Sequence, residues 1–271
     1  MMPPSDPHRP VVVKLGGSIL TRKREAPRVR LKVLDRLAKE LAACPDVPLV
    51  VLHGAGSFGH PMAMRFGLVR PSNPNGANAD RRRGAAIVSA EVRRLHVRVL
   101  SEFVRVRMNP WSIPPAALAL NRAGTLSRFE ARPFVSALEL GVVPVSFGDV
   151  VPDESWGFSI LSADTLALEL ARTLSAERVV FVSDVPGILA TAPDGRRTIV
   201  AEVTPEVIAS LHPTEGTPDV TGGIRGKAQA MWEIARAGVD AGLISGLSDG
   251  ALLRAVQGET KYGSWARARP G

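Results

Sequence analysis

The chain has 271 residues, of which 45% are apolar and 22% charged, so it can bury a sizeable core, and no run approaches the roughly 18 apolar residues that span a bilayer. Its net charge of +8 comes from scattered basic residues with few aromatic ones among them, which favours small anionic ligands and argues against a nucleic-acid-binding surface. The single cysteine, Cys44, excludes an internal disulfide, and residues 1–10 have no apolar segment of the kind a secretory signal needs, so we expect a disordered lead-in and a cytoplasmic protein.

Apolar strands alternate with helical patterns in the first sixty residues. The run Val11–Leu15 leads into two glycines, and residues 48–53 form a second apolar run that also ends in glycines. Between them, residues 30–43 repeat apolar residues at the spacing of an amphipathic helix. This order predicts an α/β fold with an open, mainly parallel sheet sandwiched by helices.

The rest of the chain continues this alternation. In chain order we expect a helix over about 78–106, a proline-rich break, a helix near 135–140, a strand over 142–147, a helix near 162–174, a strand over 177–183, a helix over 223–238 and a last strand over 239–246. No repeat or low-complexity linker occurs, so residues 11–271 are predicted to form a single domain, with two lobes that divide near residue 150.

Three predicted strands end in glycine-containing turns that also carry a charged or hydroxylated residue. They are KLGGS (14–18), HGAGSFGH (53–60) and GDV (148–150). Ligands of open α/β sheets bind beyond the carboxyl ends of the strands, where glycine lets backbone N–H groups approach a phosphate closely. One such turn alone could equally be a plain tight turn, whereas three together predict an anion site. The sequence has no P-loop, no GxGxxG motif and no tight cluster of metal ligands.

A fourth glycine-rich stretch, DVTGGIRGK (219–227), ends in Lys227 at the predicted start of a helix. A lysine in this place can reach a phosphoryl oxygen as a point charge. The alternative interpretation is an ordinary solvated lysine in the first turn of a helix.

The order of these motifs resembles that of the amino acid kinase superfamily from Val11 to about Gly258, with SADTLALELA, VSDVPGIL and TGGIRGK following the first two glycine turns. Within it, KLGGSILTRK followed by HGAGSFGHPMA resembles the isopentenyl phosphate kinases, and kinases of the fosfomycin type carry a similar loop. The resemblance implies a homodimer that phosphorylates isopentenyl phosphate with ATP and Mg²⁺. The alternatives are a kinase for another small phosphate or phosphonate, such as fosfomycin, and a nucleotide-binding sensor without catalysis.

The resemblance also implies roles for the charged residues. Lys14 would contact the transferring phosphoryl group, Lys23 would stabilise the transition state, and Lys227 would act on the ATP side. Asp164 would hold the catalytic lysines in place, with a helix cap as its alternative role. The lobe over about 11–150 would bind the acceptor, and the lobe over about 151–271 would bind ATP.

Glycines and short side chains would supply most of the remaining contacts. Those to ATP are assigned to Lys14, Gly16, Gly17, Ser18, Gly56, Asp184, Gly187, Gly222, Gly223 and Lys227. Those to the acceptor are assigned to Ala55, Gly59, His60 and Gly148. His60 would donate a hydrogen bond to the acceptor phosphate. His53 is interpreted as structural, and His96 and His212 as surface or packing residues.

Two further features of the sequence bear on this assignment. An apolar slot for the isoprenoid tail is predicted from Met62, Met64, Phe66, Ile87, Val88, Val92 and Phe134. The segment GETKYGSWARARPG (258–271) departs from the Gly-Thr-x-Ile/Val strand that usually ends the family's chains.

Overall fold

The structure is a computed structural model that describes residues 9–22, 27–71, 79–191, 196–211 and 223–268. Most of the predicted lead-in, together with Lys23, His212 and Gly222, lies outside these residues. The strands, in chain order, are β1 (Val11–Leu15), β2 (Leu49–His53), β3 (Pro110–Ser112), β4 (Ala119–Arg122), β5 (Thr125–Phe129), β6 (Val143–Phe147), β7 (Asp149–Asp153), β8 (Gly157–Leu161), β9 (Arg178–Ser183), β10 (Leu189–Thr191), β11 (Arg197–Ile199), β12 (Asp240–Ser245) and β13 (Ser264–Ala266). The α-helices are α1 (Gly17–Leu20), α2 (Leu31–Ala42), α3 (His60–Arg65), α4 (Ala79–Arg105), α5 (Arg132–Glu139), α6 (Ala163–Thr173), α7 (Pro205–Ser210), α8 (Gly223–Arg236) and α9 (Ala251–Val256).

A seven-stranded sheet with the order β13-β12-β9-β1-β2-β6-β3 forms the centre of the molecule. Every neighbouring pair is parallel except β12 and β13, which run antiparallel. Strand β1 lies between β9 and β2 and is buried along its whole length, which explains its nearly unbroken apolar run. The predicted open, mainly parallel sheet is confirmed.

Helices cover both faces of this sheet. Alternate residues of a strand point to opposite faces, so Val12 packs in a cluster with residues of α5, α6 and α8, whereas Val13 packs in a cluster with residues of α2, α4 and α9. A third apolar cluster joins α3 and α4 to Phe147 and Val150, on the side predicted to bind the acceptor. The long helix α4 contributes to both of the last two clusters, and so links them.

A second, four-stranded sheet with the order β5-β4-β7-β8 was not predicted from the sequence. Its β7–β8 hairpin is held at the turn by Asp153, whose carboxylate accepts hydrogen bonds from the backbone N–H groups of Ser155 and Trp156 at 2.9 and 2.8 Å. The predicted division between two lobes falls inside β7, and that division stays a prediction.

The C-terminal segment contributes β13, another strand that the sequence pattern did not reveal. Trp265 is 1% exposed and lies over Gly242, where a Cβ atom would come within 2.6 Å of its ring. The backbone of Trp265 also exchanges hydrogen bonds with Ala201 and Val203 at 2.9 Å each. The segment therefore closes the β12 edge of the sheet.

None of the helices in the described ranges is long and apolar enough to cross a bilayer.

Candidate active site

The carboxyl ends of five parallel strands meet along one edge of the central sheet. Leu15 at the end of β1 is in register with His53 of β2 and Val182 of β9, and His53 is in register with Phe147 of β6. Ser245 at the end of β12 pairs in the same way with Ser183. The turns that follow these strands are therefore neighbours, as the sequence pattern predicted.

Two lysines and one aspartate from three different elements form an ion cluster at this edge. The Nζ atom of Lys14, from β1, lies 2.6 Å from Oδ1 of Asp164, and Nζ of Lys227, from α8, donates a hydrogen bond of 3.3 Å to Oδ2 of the same carboxylate. The side chains of Lys14 and Asp164 are 7% and 10% exposed, so the attraction between them is only weakly screened by water. Asp164 thus fixes the spacing and direction of two positive charges.

Helix α6 receives its cap from Ser162, so the alternative role of Asp164 as a cap is excluded. The side chain of Ser162 accepts a hydrogen bond of 3.0 Å from the backbone N–H of Thr165. Asp164 lies in the first turn, where a carboxylate also interacts favourably with the positive end of the helix dipole. Its carboxylate is directed to the two lysines.

Burial and mutual attraction shift the ionisation of this cluster. Burial lowers the pKa of Lys14 to about 8, with Lys227 acting in the same sense and Asp164 opposing it. Burial would raise the pKa of Asp164, but the charges and hydrogen bonds of Lys14 and Lys227 outweigh that effect and hold its pKa well below the usual range. Asp164 is therefore ionised at neutral pH and cannot serve there as a proton donor.

The first two glycine turns pack backbone against backbone. A Cβ atom on Gly17 would lie 2.5 Å from the backbone nitrogen of Gly56, and one on Gly54 would lie 2.7 Å from that of Gly17. Gly56 also has a φ of +52°, which strains any other residue. These glycines permit the close approach of two turns, in addition to any contact with phosphate.

Some predicted backbone contacts to ligands require correction. The N–H of Gly16 donates to the carbonyl of Val182 at 2.8 Å, and that of Gly148 donates to the carbonyl of His53 at 3.0 Å, so neither is available to a phosphate. In the part of the chain that the structure describes, no acceptor is found for the N–H groups of Gly17, Ser18, Ala55 and Gly56. These four N–H groups are therefore available to an anion.

We expect Gly17→Ala to lower kcat/KM for both substrates by about tenfold or more, because the new methyl group forces the two turns apart. Steady-state kinetics and a thermal melt measure the effect. Gly141→Ala is the matched control, since a Cβ atom there meets nothing within 4 Å and costs only the strain of its φ of +68°, about 1–2 kcal/mol. Equal activity in the two variants would contradict the role of close loop packing.

On the predicted ATP side, the turn after β9 is tied to the β1 turn. Ser18 Oγ donates to Oδ1 of Asp184 at 2.7 Å, and the N–H of Ile188 donates to Oγ of Ser264 at 2.8 Å. A Cβ atom on Gly187 would lie 2.8 Å from Oγ of Ser264, so a larger residue does not fit there. Gly223 begins α8 with a φ of +61°, one turn before Lys227.

On the predicted acceptor side, His60 is the first residue of α3 and is half-buried. The preceding turn packs closely against α4. A Cβ atom added to Gly59 would lie 2.6 Å from the Cβ atom of Ala55 and 3.0 Å from Cγ2 of Val92. The third apolar cluster adjoins this turn and includes Met62, Phe66, Val88 and Val92 of the predicted tail slot. Phe134 packs in a different cluster on the α6 side and does not belong to this wall.

His53 and His96 form a buried pair beside the site. Their side chains join through a hydrogen bond of 3.0 Å between Nε2 of His53 and Nδ1 of His96, and both rings pack on Phe147. Burial lowers the pKa of His53 to about 4 and that of His96 to about 3, with Lys14 and Arg93 contributing to the respective shifts. His96 is thus a packing residue rather than a surface one, and both rings are neutral at pH 7.

We expect the free energy of unfolding to decrease as the pH falls from about 6.5 to about 4. In that range the unfolded chain, with histidine pKa values near 6.5, binds more protons than the folded one, at up to about 1.4 kcal/mol per pH unit for each proton. Asp149, whose pKa burial raises, acts in the opposite sense towards the acidic end of the range. Urea unfolding between pH 5 and 7 measures the slope, which becomes shallower in His96→Gln. An unchanged slope in that variant would contradict the depressed pKa of His96.

Sequence reasoning gave no role to Arg93 and Asp149, which also lie at this edge. Arg93 of α4 forms a two-pronged ion pair with the buried carboxylate of Asp149, at 3.0 and 3.2 Å, and its guanidinium lies over the Phe147 ring at 5.6 Å. The available signals were the aspartate in the GDV turn and an arginine beside the apolar Val92 of a long helix.

The sequence profile of the amino acid kinase family matches residues 9–245. The chain belongs to the amino acid kinase family. This kinase is 34% identical to an isopentenyl phosphate kinase of Methanothermobacter thermautotrophicus over 94% of its own length and 97% of that protein.

Solved structures agree with this sequence relationship. This kinase superposes on an X-ray structure of isopentenyl phosphate kinase with a TM-score of 0.81 and 30% identity, covering 94% of this chain and 99% of the other. The product complex of the Thermoplasma acidophilum isopentenyl phosphate kinase gives a TM-score of 0.76 and 27% identity, with 95% and 100% coverage. Membership of a kinase family implies the use of ATP.

Proposed function

We propose that this kinase transfers the γ-phosphoryl group of ATP to isopentenyl phosphate and forms isopentenyl diphosphate. The observation that carries the proposal is the histidine-bearing glycine turn, residues 53–60, at the same sheet edge as the Lys14–Asp164–Lys227 cluster. It occurs in a chain that is similar to isopentenyl phosphate kinases over nearly its whole length.

The reaction brings two phosphate groups together and therefore needs positive charge more than it needs a base. An oxygen of the acceptor phosphate attacks the γ-phosphorus, the bond from that phosphorus to the bridging oxygen breaks, and ADP leaves with the bonding electrons. With a second pKa near 6, the acceptor is already ionised at pH 7 and has no proton to give up. An ionised Asp164 that holds two ammonium groups suits this chemistry, whereas a carboxylate acting as general base would be superfluous.

Each member of the cluster has a distinct part in this proposal. Lys14 and Lys227 stabilise the charge that builds up on the transferring group, and Asp164 aims them. Lys23, outside the described residues, is proposed to add a third positive charge. The approach of the phosphates raises the pKa of Lys14 from about 8, so the residue is fully charged in the complex with substrates.

The backbone amides divide between the two substrates. Gly17, Ser18 and Gly56 are proposed to bind ATP phosphates, with Asp184, Gly187, Gly222 and Gly223 shaping the nucleotide side. Ala55 and His60 are proposed to bind the acceptor phosphate, and the apolar cluster beside them is proposed to receive the isoprenoid tail. The predicted acceptor and ATP lobes correspond to these two sides.

Mg²⁺ is proposed to enter with ATP. Within the described ranges, no group of three or more His, Cys, Asp or Glu side chains could form a cage for a metal ion. We infer that the ion is held mainly by phosphate oxygens and water, as is common for Mg²⁺. Bound in that way, the ion would neutralise part of the phosphate charge.

A homodimer is proposed from the family resemblance. Light scattering coupled to size exclusion tests it, and the expected mass is twice the 28.8 kDa of one chain. A mass that stays at 28.8 kDa over the working concentration range would remove the proposal.

A coupled ADP-release assay tests the function directly. Isopentenyl phosphate, dimethylallyl phosphate and fosfomycin are compared as acceptors, and ³¹P NMR identifies the product. We expect turnover with isopentenyl phosphate and a diphosphate product. Turnover of fosfomycin alone would favour the phosphonate alternative, and ATP binding without turnover of any acceptor would favour a nucleotide sensor.

We expect His60→Ala to raise KM for isopentenyl phosphate by about 10- to 100-fold, the worth of a hydrogen bond to a charged group, with little change in KM for ATP. Because His60 is only half-buried, the thermal melting temperature changes little. Met64→Ala is the control, because Met64 is 44% exposed and, contrary to its predicted place in the tail slot, lies outside the third apolar cluster. Kinetics like those of the unmodified protein in His60→Ala would remove this residue from the site.

A further inference from the structure

A chain of hydrogen bonds runs from the exposed edge strand of the central sheet, through two buried histidines, to the acceptor turn. It begins at Oγ of Ser112 in the edge strand β3 and passes to Nε2 of His96 at 2.8 Å. It continues from Nδ1 of His96 to Nε2 of His53 at 3.0 Å, and from Nδ1 of His53 to the carbonyl oxygen of Gly54 at 3.2 Å. Ser112 is exposed, whereas His53 is fully buried and His96 is 4% exposed, so water does not replace the contact between the two rings or the contact from His53 to Gly54.

We propose that His53 is a positioning residue that, with His96 and Ser112, fixes the Gly54–Ala55 peptide so that the N–H of Ala55 faces the acceptor phosphate. The proposal rests on the proposed function for the identity of the acceptor. It concerns a residue that does not itself touch the substrate.

The donor and acceptor of each hydrogen bond in this chain follow from the carbonyl group of Gly54 at its end. A carbonyl oxygen can only accept, so Nδ1 of His53 carries the proton and donates to Gly54. In the neutral ring Nε2 of His53 is then an acceptor, which requires Nδ1–H of His96 as the donor. Nε2 of His96 in turn accepts from the hydroxyl of Ser112. Every link in the chain is satisfied by this single arrangement.

The orientation of the Ala55 amide follows from the planarity of the peptide bond. No cis peptide bond occurs in the described ranges, so the C=O of Gly54 and the N–H of Ala55 point in opposite directions. The C=O points to the buried ring of His53, and the N–H therefore points away from it, to the side where no protein acceptor is found among the described residues. Rotation of this peptide would turn a carbonyl oxygen, which repels phosphate, toward the ligand.

The same histidine also holds the opposite turn. Its backbone carbonyl accepts the N–H of Gly148 at 3.0 Å, and its ring stacks on Phe147 with the centroids 5.4 Å apart. An apolar side chain could fill this place without the cost of burying a polar ring. The polar ring is explained by the carbonyl group that it holds.

The test compares His53→Phe, which keeps the packing and removes the donor, with His53→Asn, whose side-chain N–H can replace Nδ1–H. We expect His53→Phe to raise KM for isopentenyl phosphate by about tenfold or more while KM for ATP stays within about threefold, and His53→Asn to recover most of the loss. Ser112→Ala, at the far end of the chain, should give a smaller change of the same kind. All variants are assayed well below their melting temperatures.

NMR provides a second measurement that does not depend on turnover. In ¹⁵N-alanine-labelled protein, the Ala55 amide is assigned by its loss in Ala55→Gly, and inorganic phosphate or isopentenyl phosphate is titrated. We expect the Ala55 signal to shift in the unmodified protein and in His53→Asn, but not in His53→Phe. If His53→Phe does not fold, His96→Leu takes its place, and we expect no shift in that variant either.

The outcomes separate the two proposals. A lower melting temperature in His53→Phe, with KM for the acceptor unchanged and the Ala55 shift intact, would show that His53 is merely structural. Absence of turnover with isopentenyl phosphate in the unmodified protein would instead defeat the proposed function, and the Ala55 titration with inorganic phosphate would still decide the role of His53.

Discussion

Lys14→Met is expected to lower kcat by about 10²- to 10³-fold while the protein stays folded, because Lys14 is proposed to stabilise charge that builds up in the transition state. The side chains have similar lengths, and Asp164 keeps its hydrogen bond to Lys227 at 3.3 Å, so no carboxylate is left buried without a partner. Rapid-quench or coupled kinetics measure the loss. Lys39→Met, which removes a lysine with a 61% exposed side chain, should leave kcat unchanged.

The pH dependence of the unmodified protein gives an independent test of Lys14. Since burial lowers its pKa to about 8, kcat/KM should fall as the pH rises through about 8, because the profile of kcat/KM reports the free enzyme. Lys14→Arg should move that fall to higher pH, since guanidinium groups do not lose their proton in this range. A Lys14→Met variant within threefold of the unmodified turnover would contradict the assignment.

Asp164→Asn is expected to damage both catalysis and folding, which distinguishes it from Lys14→Met. The change leaves two ammonium groups close together in a mostly buried place, with no negative charge between them. Loss of one partner of a buried charge cluster typically costs about 3–5 kcal/mol. We expect a loss of that size in the free energy of unfolding from urea titration, and a fall in kcat of about 10²-fold or more.

The control for this change is Asp249→Asn, because the side chain of Asp249 is 88% exposed. The double variant Asp164→Asn with Lys14→Met should be more stable than Asp164→Asn alone, since it removes one of the two repelling charges. An Asp164→Asn variant as stable as the unmodified protein would show that the lysines do not depend on the carboxylate.

Local patterns in the sequence predicted the centre of the molecule because burial controls it. Strand β1 is apolar except for Lys14 because it is buried on both faces, and α2 shows helical periodicity because only one side faces the core. The cluster of Lys14 and Asp164 could be expected only through the family resemblance, since 150 residues of chain separate them. Their approach depends on the order of the strands.

The parts that were missed depend on pairings between distant residues. Strands β4 and β13 are short and have no clear alternation, so neither could be distinguished from a loop. His96 lies 43 residues from His53, and Asp149 lies 56 residues from Arg93, so neither pair leaves a local signature. Periodicity indicates which side of a helix or strand is buried, but it does not indicate which distant polar residue that side contacts.

The support that β13 gives to the turn at Gly187 has a consequence for the order in which the chain folds during synthesis. Ser264 holds the N–H of Ile188, a residue made 76 positions earlier. At roughly 5–20 residues per second, about 4–15 s pass between the two events. The third apolar cluster, whose residues lie within 55–160, can form during that delay, whereas the turn at Gly187 must wait for its support. A ribosome-bound chain is therefore expected to protect Val92 from hydrogen exchange before it protects Ile188.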